Sequence, residues 1–137
     1  MTYLFDTMAV SEPGKTHPHA GAIAWIRNVP RAHVNVSVLT IGEIGFGVFR
    51  LPPGQKRARL ETWLHDDLLA GRVGKVLLFD AAIALTWGRI KAISAETPPV
   101  MDALIAATAL VHNLIVVTRN ERHFRGLCVR VIDPWSP

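Results

Sequence analysis

The sequence predicts an α/β domain on a mainly parallel sheet, and three observations predict it. Short apolar runs alternate with longer helical patterns along the whole chain. Leu114-Ile115-Val116-Val117 is continuously apolar, as expected of a strand covered on both faces. The segment before it, about Pro99–His112, is apolar almost all round and belongs at the centre of a packed layer. With 137 residues the chain has the length of one domain with a substantial core.

Each element follows from local chemistry. Tyr3–Phe5 reads as a short strand, and His17–Asn28 as a helix after the loop Glu12-Pro13-Gly14. Val34–Ser37 is a second strand feeding a helix from about Val38 to Arg50, which Leu51-Pro52-Pro53-Gly54 ends. A helix over about Gln55–Leu69 sets Leu60, Trp63, Leu64 and Leu68 on one face. Val76–Phe79 is a strand, after which Asp80 caps a helix over Ala81–Ser94. Thr97-Pro98-Pro99 opens the apolar helix, with proline tolerated in the first turn. Val129–Ile132 is a last strand. Ligands of such sheets bind beyond the carboxyl ends of the strands, where Asp6 and Thr118-Arg119-Asn120 both fall.

Composition excludes several classes. Charged residues at 19% and a mean hydropathy of +0.25 exclude disorder. No run of 18 apolar residues crosses a membrane, and Asp6 interrupts the N-terminus too early for a secretory signal. The single cysteine, Cys128, forms no internal disulfide, so a cytoplasmic protein is expected. A net charge of +4 and a pI near 9.8 lean towards nucleic acid, with basic residues at Lys56-Arg57-Ala58-Arg59 and at Arg119, Arg122, Arg125 and Arg130. A solvated basic surface is the plainer reading of the same residues.

Three acids stand in apolar company: Asp6 after Tyr3-Leu4-Phe5, Glu43 within Val38–Ile44, and Asp102 within Val100–Ala107. Each has a structural alternative. Asp6 could cap a turn, and Asp102 falls in a first helical turn, where the macrodipole favours an acid. Glu43 resists that treatment, because Gly42, Gly45 and Gly47 around it are poor helix formers that permit close approach. If the fold gathers the three, their repulsion is large. Two carboxylates about 4 Å apart repel by roughly 4 kcal/mol at an effective dielectric of 20. A divalent cation relieves this, and Mg²⁺ or Mn²⁺ suits oxygen ligands while keeping positions for water and phosphate.

Other chemistries lack their residues. Zinc has only Cys128 and His17-Pro18-His19 to call on, and no phosphate loop or dinucleotide fingerprint is present. A dehalogenase-type phosphatase needs an acid where Met8 stands. Asp80 beyond a strand fits a receiver domain, but that family's N-terminal acid pair is missing.

Leu4-Phe5-Asp6-Thr7, Ser37–Gly47, Asp102–Ala109 and Val117-Thr118-Arg119-Asn120 together resemble the PIN-domain ribonucleases. More narrowly they resemble the VapC-type toxins of bacterial toxin–antitoxin pairs. Leu51-Pro52-Pro53-Gly54 with the basic residues after it, Leu60–Leu64, and the ending Asp133-Pro134-Trp135 extend the likeness over nearly the whole chain. The resemblance implies a three-layer α/β/α sandwich around a central, mainly parallel sheet. It makes Asp6, Glu43 and Asp102 the metal-binding acids, puts Asn120 at the place of a fourth acid, and gives Thr7 and Thr118 hydroxyls that position water or phosphate. The implied activity is Mg²⁺- or Mn²⁺-dependent endonucleolytic cleavage of RNA, such as tRNA or rRNA, by metal-activated water. The implied partners are a small VapB-like antitoxin and a second copy of the chain, as a homodimer or, with antitoxin, a heterotetramer or larger.

Two positions depart from the family pattern. Met8 stands where Asn is usual, and His123 where Asp is usual. With the uncharged Asn120 they support an alternative, a catalytically impaired PIN-fold module that binds RNA or antitoxin without cleaving. Trp25 and Trp63 allow two readings as well: a groove for an antitoxin segment or dimer partner, or simply core.

Overall fold

The computed structural model describes residues 1–136. Five strands, β1 (Tyr3–Phe5), β2 (Val34–Ser37), β3 (Lys75–Leu77), β4 (Ile115–Val117) and β5 (Val131–Ile132), form one parallel sheet in the order β3-β2-β1-β4-β5. Six α-helices accompany them: α1 (Thr7–Ser11), α2 (Ala20–Asn28), α3 (Val38–Phe49), α4 (Gln55–Trp63), α5 (Ala81–Ile93) and α6 (Val100–His112). Among the described residues no helix is long and apolar enough to cross a membrane.

Strand alternation makes three layers out of this list. Phe5, Val36 and Val117 turn to one side and pack with Ala9, Val10, Ala22, Ile26, Ile41, Ile44, Val48, Leu64 and Leu68 from α1–α3 and the turn after α4. Leu4, Leu77 and Val116 turn to the other and pack with Ile83, Ile90, Ala103, Ile105, Ala106 and Ala107 from α5 and α6. The sheet is therefore buried on both faces, and the expected α/β/α sandwich is the fold observed.

The differences from the sequence reading have local causes. The first helix, Thr7–Ser11, follows Asp6 directly in a stretch to which the sequence assigned no element; its five residues are too few to show periodicity. The helix expected from His17 starts at Ala20, because His19 is its cap and accepts from the Ala22 N–H through Nδ1 at 3.0 Å. The helix expected over Gln55–Leu69 is α-helical only to Trp63 and continues as a π-turn over Leu64–Leu68. That turn still buries Leu64 and Leu68. The third strand starts at Lys75 and ends at Leu77, leaving Leu78 and Phe79 exposed. Val131–Ile132 is shorter than expected. Trp25 stands edge-on to Tyr3 at 5.3 Å, and both Trp25 and Trp63 pack on the core. The core reading of the tryptophans holds, and the exposed apolar surface lies elsewhere, at Phe46, Phe49, Leu78 and Leu85 among others.

Two constraints escaped the sequence. A Cβ on Gly74 would meet Val34 backbone and side-chain atoms at 2.7 Å, so this close approach of the β3 lead-in to β2 admits glycine alone. Glu12, only 1% exposed, braces the loop that leads into α2. Its Oε1 accepts the His19 N–H at 2.8 Å, and Lys15 Nζ lies 2.8 Å from Oε2. Burial opposes its charge, but Lys15, the His19 N–H and the adjacent Trp135 indole outweigh that, and the carboxyl titrates below its ordinary value of 4.5.

A lowered folded-state value means that the stabilisation by Glu12 is present above pH 4.5 and is lost as pH falls through the folded value. Glu12→Ala is expected to cost about 1–3 kcal/mol at pH 7, because buried donors lose their acceptor. Urea unfolding at pH 7 and at pH 3 checks this, and the gap between wild type and variant should narrow at pH 3. An equal gap at both would show that the charge contributes nothing.

Candidate active site

The strand order reverses beside β1. The chain runs from β1 to β2 on one side, and β4 is added on the other, so the carboxyl ends of β1 and β4 flank the switch point of the sheet. Asp6 and Thr118 are the residues that follow those two strands. They stand side by side because the ladder runs on past the strands, with the Asp6 N–H donating to the Val117 carbonyl at 3.1 Å.

Asp6 has two roles in one carboxylate. As N-cap of α1, its Oδ1 accepts the Ala9 N–H at 3.0 Å. The sequence left open whether it caps a turn or serves the site, and the cap does not take it out of the site. Burial pushes its carboxyl above the ordinary value of 3.8, and the charge of Asp102 pushes the same way. Hydrogen bonds from the Thr118 hydroxyl and from the Ala9 and Met8 N–H groups recover part of this. Thr118 is fully buried, and its hydroxyl also accepts the Asn120 N–H at 3.0 Å, which bends the chain beyond β4 back over the site.

The remaining acids approach through partners. Asp102 lies in the first turn of α6, and its Oδ2 is 2.9 Å from His123 Nδ1. Glu43, on the exposed side of α3, accepts the Thr7 hydroxyl at 2.7 Å. Gly42 and Gly47 beside it border open space. Asn120 turns its Nδ2 to the Met8 sulfur at 3.6 Å. All the residues singled out in the sequence thus fall at one end of the sheet, tied to α1 or to the turn after β4.

The donor set fits a hard divalent ion in chemistry: carboxylate oxygens, an amide oxygen and hydroxyls, with two carboxylates that repel each other. It is not drawn up around one point. Among the described residues no three His, Cys, Asp or Glu side chains converge closely enough to hold an ion as they stand. Asp102 and Glu43 are turned to His123 and Thr7, and an ion would have to share or displace those contacts.

Some contributors were missed. His123 was visible only as a departure; nothing in a one-dimensional pattern joins it to Asp102. The exposed Phe46 and Phe49 share α3 with Glu43, and Arg50 covers the Phe46 ring at 5.2 Å. Of the basic run, Arg57 is occupied by Glu61 at 2.7 Å and the Leu51 carbonyl at 3.2 Å, leaving Lys56 and Arg59 exposed to solvent.

Comparison with known proteins agrees with this geometry. The PIN domain family matches residues 3–128. The chain belongs to the PIN-domain family. It is 30% identical over 137 residues to VapC ribonuclease Y4jK of Sinorhizobium fredii, covering 98% of both chains. It is 32% identical over 135 residues to Toxin FitB of Neisseria gonorrhoeae, covering 96% of this chain and 97% of that one. Among solved structures, FitAcB from Neisseria gonorrhoeae superposes with a TM-score of 0.92 at 31% identity, covering 99% of this chain and 100% of that one.

Because the folded-state value of Asp6 is raised, its ionisation costs stability that is fully present below pH 3.8 and lost as pH rises through the folded value. Asn caps helices as well as Asp does. Asp6→Asn is therefore expected to raise the melting temperature at pH 7 in ion-free buffer, with a smaller gain near pH 3.5. Calorimetry at the two pH values checks this, and an Asp6→Asn protein less stable at both would contradict it.

Proposed function

We propose that this protein is a metal-dependent endoribonuclease that acts as the toxin of a toxin–antitoxin pair. The observation that carries the reading is the buried Asp6, which also feels the charge of Asp102, at the switch point of a PIN-family sheet beyond the carboxyl ends of the strands. Asp6, Glu43 and Asp102 would hold Mg²⁺ or Mn²⁺. When bound, such an ion supplies a more acidic water and stabilises charge on phosphate oxygens.

The chain's own residues do the rest. Thr118 holds the Asp6 carboxylate through its hydroxyl and anchors the turn that carries Asn120. Thr7 orients Glu43. Arg119 and Lys56, both exposed, steer the RNA backbone towards the acids as part of a basic surface. A VapB-like antitoxin is the expected partner, because two relatives carry the names of a VapC ribonuclease and a toxin. Its docking face is the apolar side of α3 at Phe46 and Phe49, which borders Glu43 and would let one segment cover the site.

A second reading is favoured by a specific contact. The amide of Asn120 is turned to Met8, and Asp102 is held by His123, so two groups at the site already have partners. In that reading the protein binds RNA or antitoxin and leaves RNA intact. Incubating antitoxin-free protein with a mixed tRNA and rRNA pool separates the two, with Mg²⁺, Mn²⁺ or EDTA. Discrete fragments that require the metal, with at least about a thousandfold loss in Asp6→Asn, are expected. Intact RNA from folded protein under every condition would establish the binding module instead.

A further inference from the structure

A cleft opens towards the amino ends of β2 and β3, away from the carboxyl ends where Asp6 and Thr118 stand. Its floor is core: Phe5, Val10, Ile26 and Val34 are buried, and half-buried Val73 forms one side. The volume is about 280 Å³, at the small end of ligand pockets and enough for about ten non-hydrogen atoms.

Three ties fix the walls. Gly74 lies against Val34, where a Cβ would meet the backbone at 2.7 Å, so the loop before β3 has one position. Gly71, at a φ of 77°, turns the same loop, and its carbonyl accepts from Arg31 Nη1 at 2.6 Å across the cleft. The Arg72 N–H donates to the Asp67 carbonyl at 2.9 Å. These contacts hold the cleft in shape without anything inside it, so a ligand that enters has little to order.

The rim is cationic. Arg27, Arg31 and Arg72 line it, and no Asp or Glu does. Two of them have structural work: Arg27 is in the last turn of α2, where the macrodipole favours a cation, and Arg31 ties the walls. Neither task uses up the five donors of a guanidinium. Arg72 meets Asp67 only at 3.8 Å, in an exposed pair of little strength. The floor selects hydrocarbon, because a nucleobase would bury its donors and acceptors against carbon. The rim selects a planar anion that matches the guanidinium fork.

We propose that this cleft binds a small amphiphilic monoanion, an acyl carboxylate whose chain lies on Phe5, Val10 and Ile26 and whose head meets Arg27 and Arg72. None of these residues belongs to the acid site, so the cleft and the nuclease stand or fall separately.

Octanoate matches the volume and is the probe. Full-length protein is titrated with it by calorimetry and by ¹⁵N–¹H NMR, with 1-octanol and acetate as tail-only and head-only controls. Octanoate should bind with a Kd of about 0.1–1 mM and shift the amides of Val10, Val29 and Val73. Both controls should bind at least about tenfold more weakly. The double variant Arg27→Gln, Arg72→Gln should lose about tenfold in affinity for octanoate and keep that for octanol. Val73→Phe, checked as folded by its melting curve, should fill the cleft and abolish binding. Equal affinity for octanol and octanoate, or undiminished affinity in the arginine double variant, would overturn the proposal by removing the rim from it. Amide shifts confined to the exposed face of Phe46 and Phe49 would overturn it by placing the ligand elsewhere. Cleft amides that shift with protein concentration and ignore octanoate would assign the cleft to a second copy of the chain instead. No binding at millimolar octanoate would leave no such site.

Discussion

The burial of the Asp6 carboxylate beyond the end of β1 is the constraint around which this end of the molecule is arranged, and the charge of Asp102 adds to it. The parallel sheet brings the ends of β1 and β4 together at a switch point, and α6 delivers its first turn to the same place. Neither carboxylate can leave: Asp6 caps α1, and Asp102 sits in a helix whose next residues, Ala103 and Ile105–Ala109, are buried. Partners share the burden instead. Thr118 and two backbone N–H groups attend to Asp6, and His123 attends to Asp102. A globular domain has only about 5–15 kcal/mol of net stability, so a buried carboxylate that also feels a neighbouring acid is costly to keep without partners that relieve it.

The short helix α1 links these parts. Asp6 starts it, Thr7 reaches Glu43 on α3, and Met8 meets Asn120 beyond β4. Within one turn the chain thus touches the groups at the site except Asp102, whose charge acts on Asp6, and its partner His123. Helix α1 is anchored in turn by Glu12, which follows it and accepts from the N-cap residue of α2. The helix that begins at Asp6 is therefore braced by a buried carboxylate outside the site. Asp133 shapes the last turn of the chain by accepting the Trp135 N–H at 2.8 Å.

Much of this was legible in the sequence where burial leaves a continuous mark. The runs ending in Phe5 and Val117 and the apolar helix up to His112 are hydrophobic on every side because both sheet faces are covered. The acids stood out against that background, and so did Thr118 and Asn120 beyond a strand end. What could not be read was pairing between distant residues. Glu12 looks like a loop residue between Ser11 and Pro13, yet it is buried and accepts the N–H of His19. Helix α1 is too short to declare a period, and the π-turn after Trp63 keeps its apolar residues buried while changing its hydrogen bonds. Strand order, and with it the meeting of Asp6 with Thr118, follows only from the assembled sheet.

The central claim is that Asp6 and Asp102 form a cation site. Linkage tests it without reference to catalysis, since an ion that binds only the folded state stabilises it in proportion to occupancy. The direct measurement is the melting temperature of wild type and Asp102→Asn as Mn²⁺ is raised from zero to millimolar concentration, with Na⁺ at matched ionic strength as control. An ion held by Asp102 gives a rise in wild type that saturates and is largely absent in the variant. A wild-type melting temperature that does not respond to Mn²⁺, or that rises equally in Asp102→Asn, would contradict it.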